Sequence, residues 1–104
     1  MVKEKSEVLK MIRKLLKLLK KNGICISESY LFGSYARNEA KEGSDIDLAL
    51  ISDDFCGIRF IDIEKIALFI QDIDDRIEAH TFSNKDKDES LFLSEIISKG
   101  IRVA

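Results

Sequence analysis

The chain has 104 residues, with 17 Lys or Arg against 19 Asp or Glu and a formal net charge of −2. This length predicts one domain, 1–104, and excludes a second domain of ordinary size within it. No apolar run approaches the roughly 18 residues that span a membrane, and the charged N-terminal segment lacks the apolar centre of a signal peptide. We therefore expect a cytoplasmic chain without membrane contact. Cys25 and Cys56 each lie next to apolar residues, and we expect free thiols that are buried or half-buried, with a disulfide or a reactive thiol as the alternative.

The first predicted element is a helix over residues 3–22. Apolar residues recur there at helical spacing, and Asn22-Gly23 supplies the stop signal. Residues 1–22 contain eight Lys or Arg and two Glu, a net charge of +6. We interpret the segment as an amphipathic helix with solvated lysines, and the alternative is a basic face that meets anions or a membrane surface.

The rest of the chain alternates between predicted strands and helices. Strands are predicted over 24–32, 45–51 and 76–82, a helical turn over 34–40, and helices over 61–73 and 89–99. Polar or irregular loops join them, and Gly100 ends the last helix. This alternation predicts the α/β class.

Two acidic residues lie within the most apolar predicted strand. Asp45 and Asp47 are two residues apart, so strand alternation places both carboxylates on one face. Their repulsion destabilises that face unless a cation lies between them, and Mg²⁺ prefers oxygen ligands of this kind. An isolated Asp-x-Asp is a weak signal, because strand ends often carry aspartates exposed to solvent.

A second motif follows the first strand. The strand ends at Phe32, Gly33 permits a tight turn, and Ser34 is suited to cap the helical turn that follows. Free backbone N–H groups and a hydroxyl at such a turn suit a phosphate, and Arg37 lies on the same side of the turn as Ser34. Taken alone, the motif is more typical of an ordinary strand–turn–helix with Ser34 as the N-cap.

Together the two motifs are more specific. The segments Phe32-Gly33-Ser34-Tyr35-Ala36-Arg37 and Gly43-Ser44-Asp45-Ile46-Asp47-Leu48, with ten residues between Ser34 and Asp45, resemble the signature of the nucleotidyltransferase superfamily that includes DNA polymerase β. The resemblance is closest to the minimal nucleotidyltransferases of bacteria and archaea, which consist of the catalytic domain alone. It implies the fold of that domain, a small mixed β-sheet with flanking helices.

The family resemblance also implies a third carboxylate on a later strand. Glu78 occupies the matching position in the predicted strand 76–82, where the family more often has Asp. This departure leaves open whether the site is active. Asp74 and Asp75, at the preceding turn, are the alternatives. His80 shares the face of Glu78, and we interpret it either as a contact of the site or as a strand histidine with its own hydrogen-bond partners.

The implied activity is Mg²⁺-dependent transfer of a nucleoside monophosphate, AMP from ATP, to a hydroxyl, with release of pyrophosphate. The resemblance implies two Mg²⁺ ions. It assigns metal binding and catalysis to Asp45, Asp47 and Glu78, and nucleotide binding to Gly33, Ser34 and Arg37. For Arg37, a structural ion pair is the alternative to a phosphate contact.

The partner is also a matter of resemblance. Minimal nucleotidyltransferases pair with a helical HEPN-domain protein and act as its antitoxin, some by attaching AMP to a tyrosine of the toxin. The Leu- and Ile-rich helices predict association with such a partner or a homo-oligomer.

Two other functions stay open. One is a binding module without catalysis, which the Glu78 departure suggests. The other is nucleic-acid binding through the basic first helix, against which stand a pI of about 5.4 and the lack of aromatic residues among the basic ones.

Overall fold

The first helix is amphipathic, as its pattern predicts. The structure, a computed structural model, describes residues 4–104; Lys3, at the start of the predicted helix 3–22, therefore lies outside the described residues. Helix α1 (Lys5–Lys21) buries its apolar side chains on one side, while Lys10, Lys14 and Lys17 are exposed. The side-chain amide of Asn22 donates to the carbonyl of Leu18 (2.8 Å), which satisfies a carbonyl at the end of the helix.

The other predicted elements occur in the predicted order, and the structure adds a short helix at residues 86–89, where a polar loop was predicted, and a two-residue strand at 101–102. The elements after α1 are β1 (Glu28–Phe32), β2 (Ile46–Ile51), α2 (Arg59–Ile73), β3 (Ile77–Phe82), α3 (Asp86–Glu89), α4 (Leu91–Lys99) and β4 (Ile101–Arg102). Residues 33–38 form hydrogen-bonded turns in place of the predicted helical turn over 34–40.

Several predicted boundaries were wrong. Helix α2 begins at Arg59 rather than at Ile61. Strand β1 begins at Glu28 rather than at residue 24, because Cys25 is held by the side chains of Asp54 and Ser52 instead of a neighbouring strand. The last long helix begins at Leu91 rather than at Glu89. Ser90 interrupts it, because its side chain accepts a hydrogen bond from the N–H of Leu93 and caps α4.

The four strands form one mixed sheet in the order β3-β2-β1-β4. Strand β1 is antiparallel to both of its neighbours, and β2 is parallel to β3, which follows it after the crossover helix α2. This is the small mixed sheet with flanking helices that the resemblance implied. Strand β4 was not predicted.

Helices cover the two faces of the sheet unequally. Alternate residues of β2, such as Leu48 and Leu50, pack with α1 and α2. The residues between them, Ala49 and Ile51, pack with the shorter helix α4 on the opposite face. Asp47 has the same orientation as Ala49, so it lies on the face that α4 covers only in part.

A buried carboxylate stabilises the loop between β2 and α2 through hydrogen bonds. Asp62 is fully buried and accepts hydrogen bonds from the backbone N–H groups of Cys56 (2.8 Å) and Gly57 (3.0 Å). Both cysteines are free, as predicted, but both are exposed, so the prediction that they are buried or half-buried was wrong. Among residues 4–104, no helix has the length and apolar character needed to cross a bilayer.

Candidate active site

Two acidic side chains lie next to each other on the face of the sheet that carries α4. Asp47 of β2 pairs in register with Glu78 of β3 on one side and with Phe32 of β1 on the other. The Asp47 side chain is 26% exposed and the Glu78 side chain 48% exposed. The structure thus brings together two of the three carboxylates that the resemblance implied, at a position open to solvent.

His80 completes a cluster with these two residues. Its Nε2 lies 3.8 Å from Oδ1 of Asp47 and 4.0 Å from Oε1 of Glu78. The three residues offer ligand atoms that all lie within 4.8 Å of one another. Both ring nitrogens of His80 are buried and have no hydrogen-bond partner among the described residues. His80 is therefore not a strand histidine with its own hydrogen-bond partners.

Aromatic rings hold the imidazole of His80 in place. Phe32 meets it edge to face with the ring centres 5.0 Å apart, and Phe92 of α4 meets it at 5.9 Å. Such edge contacts restrict the rotation of the ring without using its nitrogens. The Nε2 atom is consequently held towards the carboxylates.

Burial and neighbouring charge perturb the cluster in a way that favours a bound cation. Burial raises the pKa of the Asp47 carboxyl, and the negative charges of Glu78 and Asp45 raise it further. Burial lowers the pKa of His80, and the positive charge of Arg59 acts in the same direction. A divalent cation would relieve the repulsion between the carboxylates and bind the neutral imidazole.

The turn after β1 lies directly against Asp47. Gly33 has a φ of +74°, and a Cβ at this position would overlap Oδ2 of Asp47 and lie 3.1 Å from its Cγ. Glycine is thus required both for the backbone conformation and for the close approach. The N–H groups of Ser34, Tyr35 and Ala36 make no backbone hydrogen bond among the described residues, which leaves them free for an anion.

A cavity of about 620 Å³ joins the turn to the cluster. It is lined by Phe32, Gly33, Ser34, Ala36, Arg37, Asp47, His80, Phe92, Glu95, Ile96, Lys99 and Gly100. Its volume lies within the range of small-molecule sites, and its lining combines aromatic side chains with a few polar groups. Arg37 is exposed at this cavity and also pairs with Glu39 (3.1 Å), so both predicted roles are compatible with its position.

The remaining acidic candidates lie outside the cluster. Asp45 is exposed and directly precedes β2, and it acts on Asp47 through its charge. Asp74 pairs with Arg76 at 2.8 Å, and Asp75 is exposed before β3 begins. Glu78 is therefore the acidic residue of this strand region that faces Asp47.

Sequence reasoning missed the wall that α4 contributes. Phe92, Glu95 and Lys99 line the cavity, and the last two form an ion pair of 2.8 Å. Their spacing of three and four residues places them on one side of a helix, which the sequence shows. Only the tertiary structure brings that side of the helix over the site.

Comparisons with known proteins agree with this architecture. The model of the family described as nucleotidyltransferase domain matches residues 12–103. The fold is similar to a crystal structure from Sulfolobus solfataricus that is assigned to the nucleotidyltransferases, with a TM-score of 0.67 and 18% sequence identity. That similarity covers 94% of this chain and 80% of the other. A search of curated proteins finds no match.

Proposed function

The chain belongs to the nucleotidyltransferase domain family, and from this premise we propose that it transfers AMP from ATP to a hydroxyl on a partner protein. One observation carries the proposal. Asp47 and Glu78 lie side by side across β2 and β3, and the cavity beside Asp47 also contains the Gly33-Ser34 turn. A site that pairs acidic metal ligands with free backbone N–H groups suits a nucleoside triphosphate and its metal.

The donor set fits divalent metal ions. Carboxylate oxygens of Asp47 and Glu78 and the unpartnered Nε2 of His80 lie close enough to share one ion. Asp45 is exposed two residues before Asp47 and acts on it through its charge, which supports it as a ligand of a second ion. We propose that the site holds two divalent metal ions, which the family resemblance implies to be Mg²⁺. Bound metal ions would stabilise negative charge on the entering and leaving oxygens.

The chain's own residues bind and orient the nucleotide. The N–H groups after Gly33 and the hydroxyl of Ser34 hold the β- and γ-phosphates, and Arg37 adds a positive charge at the edge of the cavity. The aromatic side of the cavity, formed by Phe32 and Phe92, suits the base. The triphosphate is thereby aligned with its α-phosphorus beside Asp47.

The transfer itself needs no covalent intermediate with the protein. An oxygen of the acceptor hydroxyl forms a bond to the α-phosphorus while the bond from that phosphorus to the β-bridging oxygen breaks, and pyrophosphate leaves. The carboxylate of Glu78 accepts the proton of the hydroxyl and passes it to water. Glu78 is suited to this role because it is the more exposed of the two carboxylates.

The acceptor is proposed to be a helical partner of HEPN type, with this chain as its antitoxin. The cavity opens at a surface from which an acceptor side chain can enter. Apolar side chains are also available for docking, because Phe60 and Leu68 of α2 are 72% and 74% exposed. A homo-oligomer would use the same side of α2.

Labelling of the partner tests the proposal. The chain and the protein encoded beside it are incubated with ATP labelled in the α-phosphate and Mg²⁺, and transfer of label to the partner is measured. We expect labelling by the unaltered chain. Asp47→Asn and Glu78→Gln should each reduce the rate by about a thousandfold, as expected for the loss of a metal ligand. Both variants should still bind the partner in a pull-down.

Two outcomes would change the proposal. If the unaltered chain labels nothing yet still neutralises its partner, it is a binding module without catalysis. If Glu78→Gln retains full activity, the third carboxylate is elsewhere, and Asp75 is the next residue to test.

A further inference from the structure

The imidazole of His80 is buried without using either of its ring nitrogens. The side chain is 13% exposed, and neither nitrogen has a hydrogen-bond partner among the described residues. An unpaired buried polar group of this kind reduces the free energy of unfolding, so its presence calls for a compensating ligand. The neighbouring carboxylates are too distant to act as that partner, at 3.8 Å for Asp47 and 4.0 Å for Glu78.

The same distances suit a shared metal ion. Two ligand atoms that are 3.8 or 4.0 Å apart can both lie about 2.0–2.2 Å from one cation placed between them, which is the bond length for nitrogen and carboxylate oxygen on a transition metal. Nε2 of His80 is the shared neighbour of both oxygens. Phe32 and Phe92 fix the ring, so the nitrogen donor is oriented before an ion arrives.

We propose that His80 is a direct nitrogen ligand of the ion held by Asp47 and Glu78, and that this position prefers Mn²⁺ or a similar transition-metal ion to Mg²⁺. Imidazole nitrogen binds transition-metal ions well, whereas Mg²⁺ prefers oxygen ligands and gives up its water reluctantly. The all-oxygen position at Asp45 would remain suited to the Mg²⁺ that accompanies a nucleoside triphosphate. This inference concerns the site of the proposed function and rests on it for the role of the ion, not for its binding.

The chain contains a single histidine, which makes the test direct. Chain prepared without an affinity tag is mixed with Mn²⁺ alone, and pulsed electron paramagnetic resonance measures the coupling between the ion and nearby nitrogen nuclei. We expect the coupling of a directly bound imidazole. When the chain is made with ¹⁵N-labelled histidine, the coupling to ¹⁴N should be replaced by a coupling to ¹⁵N. If the unaltered chain shows no coupling to histidine nitrogen, the proposal is wrong.

Variants provide a second readout by calorimetry. His80→Phe keeps an aromatic ring between Phe32 and Phe92 and removes the nitrogens. It should weaken Mn²⁺ binding by about tenfold or more while changing Mg²⁺ binding by less than about twofold. Thr81→Val is the matched control, because Thr81 is the next residue of β3 and faces the other side of the sheet, and it should leave both affinities unchanged. Equal losses for Mn²⁺ and Mg²⁺ in His80→Phe would overturn the preference.

The outcome separates this inference from the proposed function. Histidine coupling without any transfer of nucleotide would support the metal site and contradict the transferase proposal. Transfer of nucleotide without histidine coupling would support the transferase proposal and contradict the metal site at His80. Because the spectroscopic measurement uses the unaltered chain, it stands even if His80→Phe fails to fold.

Discussion

Gly33, in the turn that follows β1, lies so close to Asp47 of the neighbouring strand β2 that a side chain at position 33 would displace the carboxylate. A Cβ there would overlap Oδ2 of Asp47, and the backbone of Gly33 is already in the left-handed region with φ of +74°. The turn after β1 and the Asp47 carboxylate are therefore in direct contact and form one structural unit.

The first prediction uses this contact. Gly33→Ala should lower the free energy of unfolding by more than the roughly 1–2 kcal/mol that a left-handed conformation costs a residue with a Cβ, and it should abolish metal binding by shifting Asp47. Gly43→Ala is the control, because Gly43 also has a positive φ (+84°) but a Cβ there meets nothing within 4 Å. Urea denaturation and metal titration of the two variants isolate the contact. Equal losses of stability, with metal binding intact in both, would contradict the prediction.

Strand alternation and motif spacing allowed part of the site to be predicted from the sequence, namely which acidic residues share a face of the sheet. Asp47 and Glu78 each lie within an apolar strand, so their common face follows from the pleat once β2 and β3 are known to be neighbours. The pairing of the two residues, by contrast, depends on the register of two strands separated by α2. No local pattern in the sequence specifies that register.

The fold shows the same limit. Strand β4 has only two residues, Ile101 and Arg102. It forms because they pair with β1, and their own strand preference is not enough to predict it. Gly100 ends α4 as predicted, but for a different reason. Its φ is not positive, and it is instead crowded by the carbonyls of Ile96 and Leu31, which a Cβ would meet at 2.6 and 2.9 Å.

The second prediction concerns pH. Burial and the charge of Glu78 raise the pKa of Asp47, so the folded chain holds this proton to a higher pH than the unfolded chain. The contribution of the protonated Asp47 carboxyl to the free energy of unfolding is therefore present below the ordinary carboxyl pKa of about 3.9. It is lost as the pH rises through the raised pKa of the folded chain. Asp47→Asn does not lose this stability, because the asparagine side chain does not ionise. Without metal at pH 7, it should unfold at a higher temperature than the unaltered chain, by the equivalent of about 0.2–1 kcal/mol.

Thermal unfolding in the presence of a chelator measures this difference. Asp75→Asn serves as the control, since Asp75 is exposed outside the cluster, and it should change stability by less than about 0.5 kcal/mol. Addition of Mn²⁺ should reverse the order and make the unaltered chain the more stable. If Asp47→Asn is the less stable chain without metal, the repulsion is not what limits stability at this site.

The third prediction concerns the length of the third acidic side chain. Glu78→Asp restores the residue that is more usual at this position, and it should retain or raise the rate of nucleotide transfer, whereas Glu78→Gln should not transfer. Rates of label transfer at saturating ATP compare the two. A loss in Glu78→Asp as large as that in Glu78→Gln would indicate that the strand spacing here requires the longer side chain.

The fourth prediction separates stability from function. Asp62 is buried and holds two backbone N–H groups, so Asp62→Ala should lower the free energy of unfolding by about 1–3 kcal/mol. Metal affinity at low temperature should stay unchanged, since Asp62 is not part of the cluster. Denaturant titration and calorimetry provide the two measurements. A large loss of metal affinity in Asp62→Ala would show that the loop between β2 and α2 also supports the site.

The fifth prediction concerns association through α2. Leu68→Glu replaces a side chain that is 74% exposed, so it should change stability by less than about 0.5 kcal/mol and yet weaken binding of the partner or of a second copy. Light scattering and pull-downs measure association. Lys14→Glu on the exposed side of α1 is the control. Unchanged association in Leu68→Glu would exclude this side of α2 as the interface.

The order in which the site is built along the chain has a consequence for protein synthesis. Every carboxylate of the cluster has been made by residue 78, whereas the helix that walls the cavity comes only with residues 91–99. A nascent chain stalled at residue 90 would hold the acids but expose Tyr30, Ala49 and Ile51, which α4 otherwise covers. Such a fragment would display the apolar surface that chaperones and proteases recognise. Incomplete translation would therefore yield a product with an exposed apolar face that quality control removes.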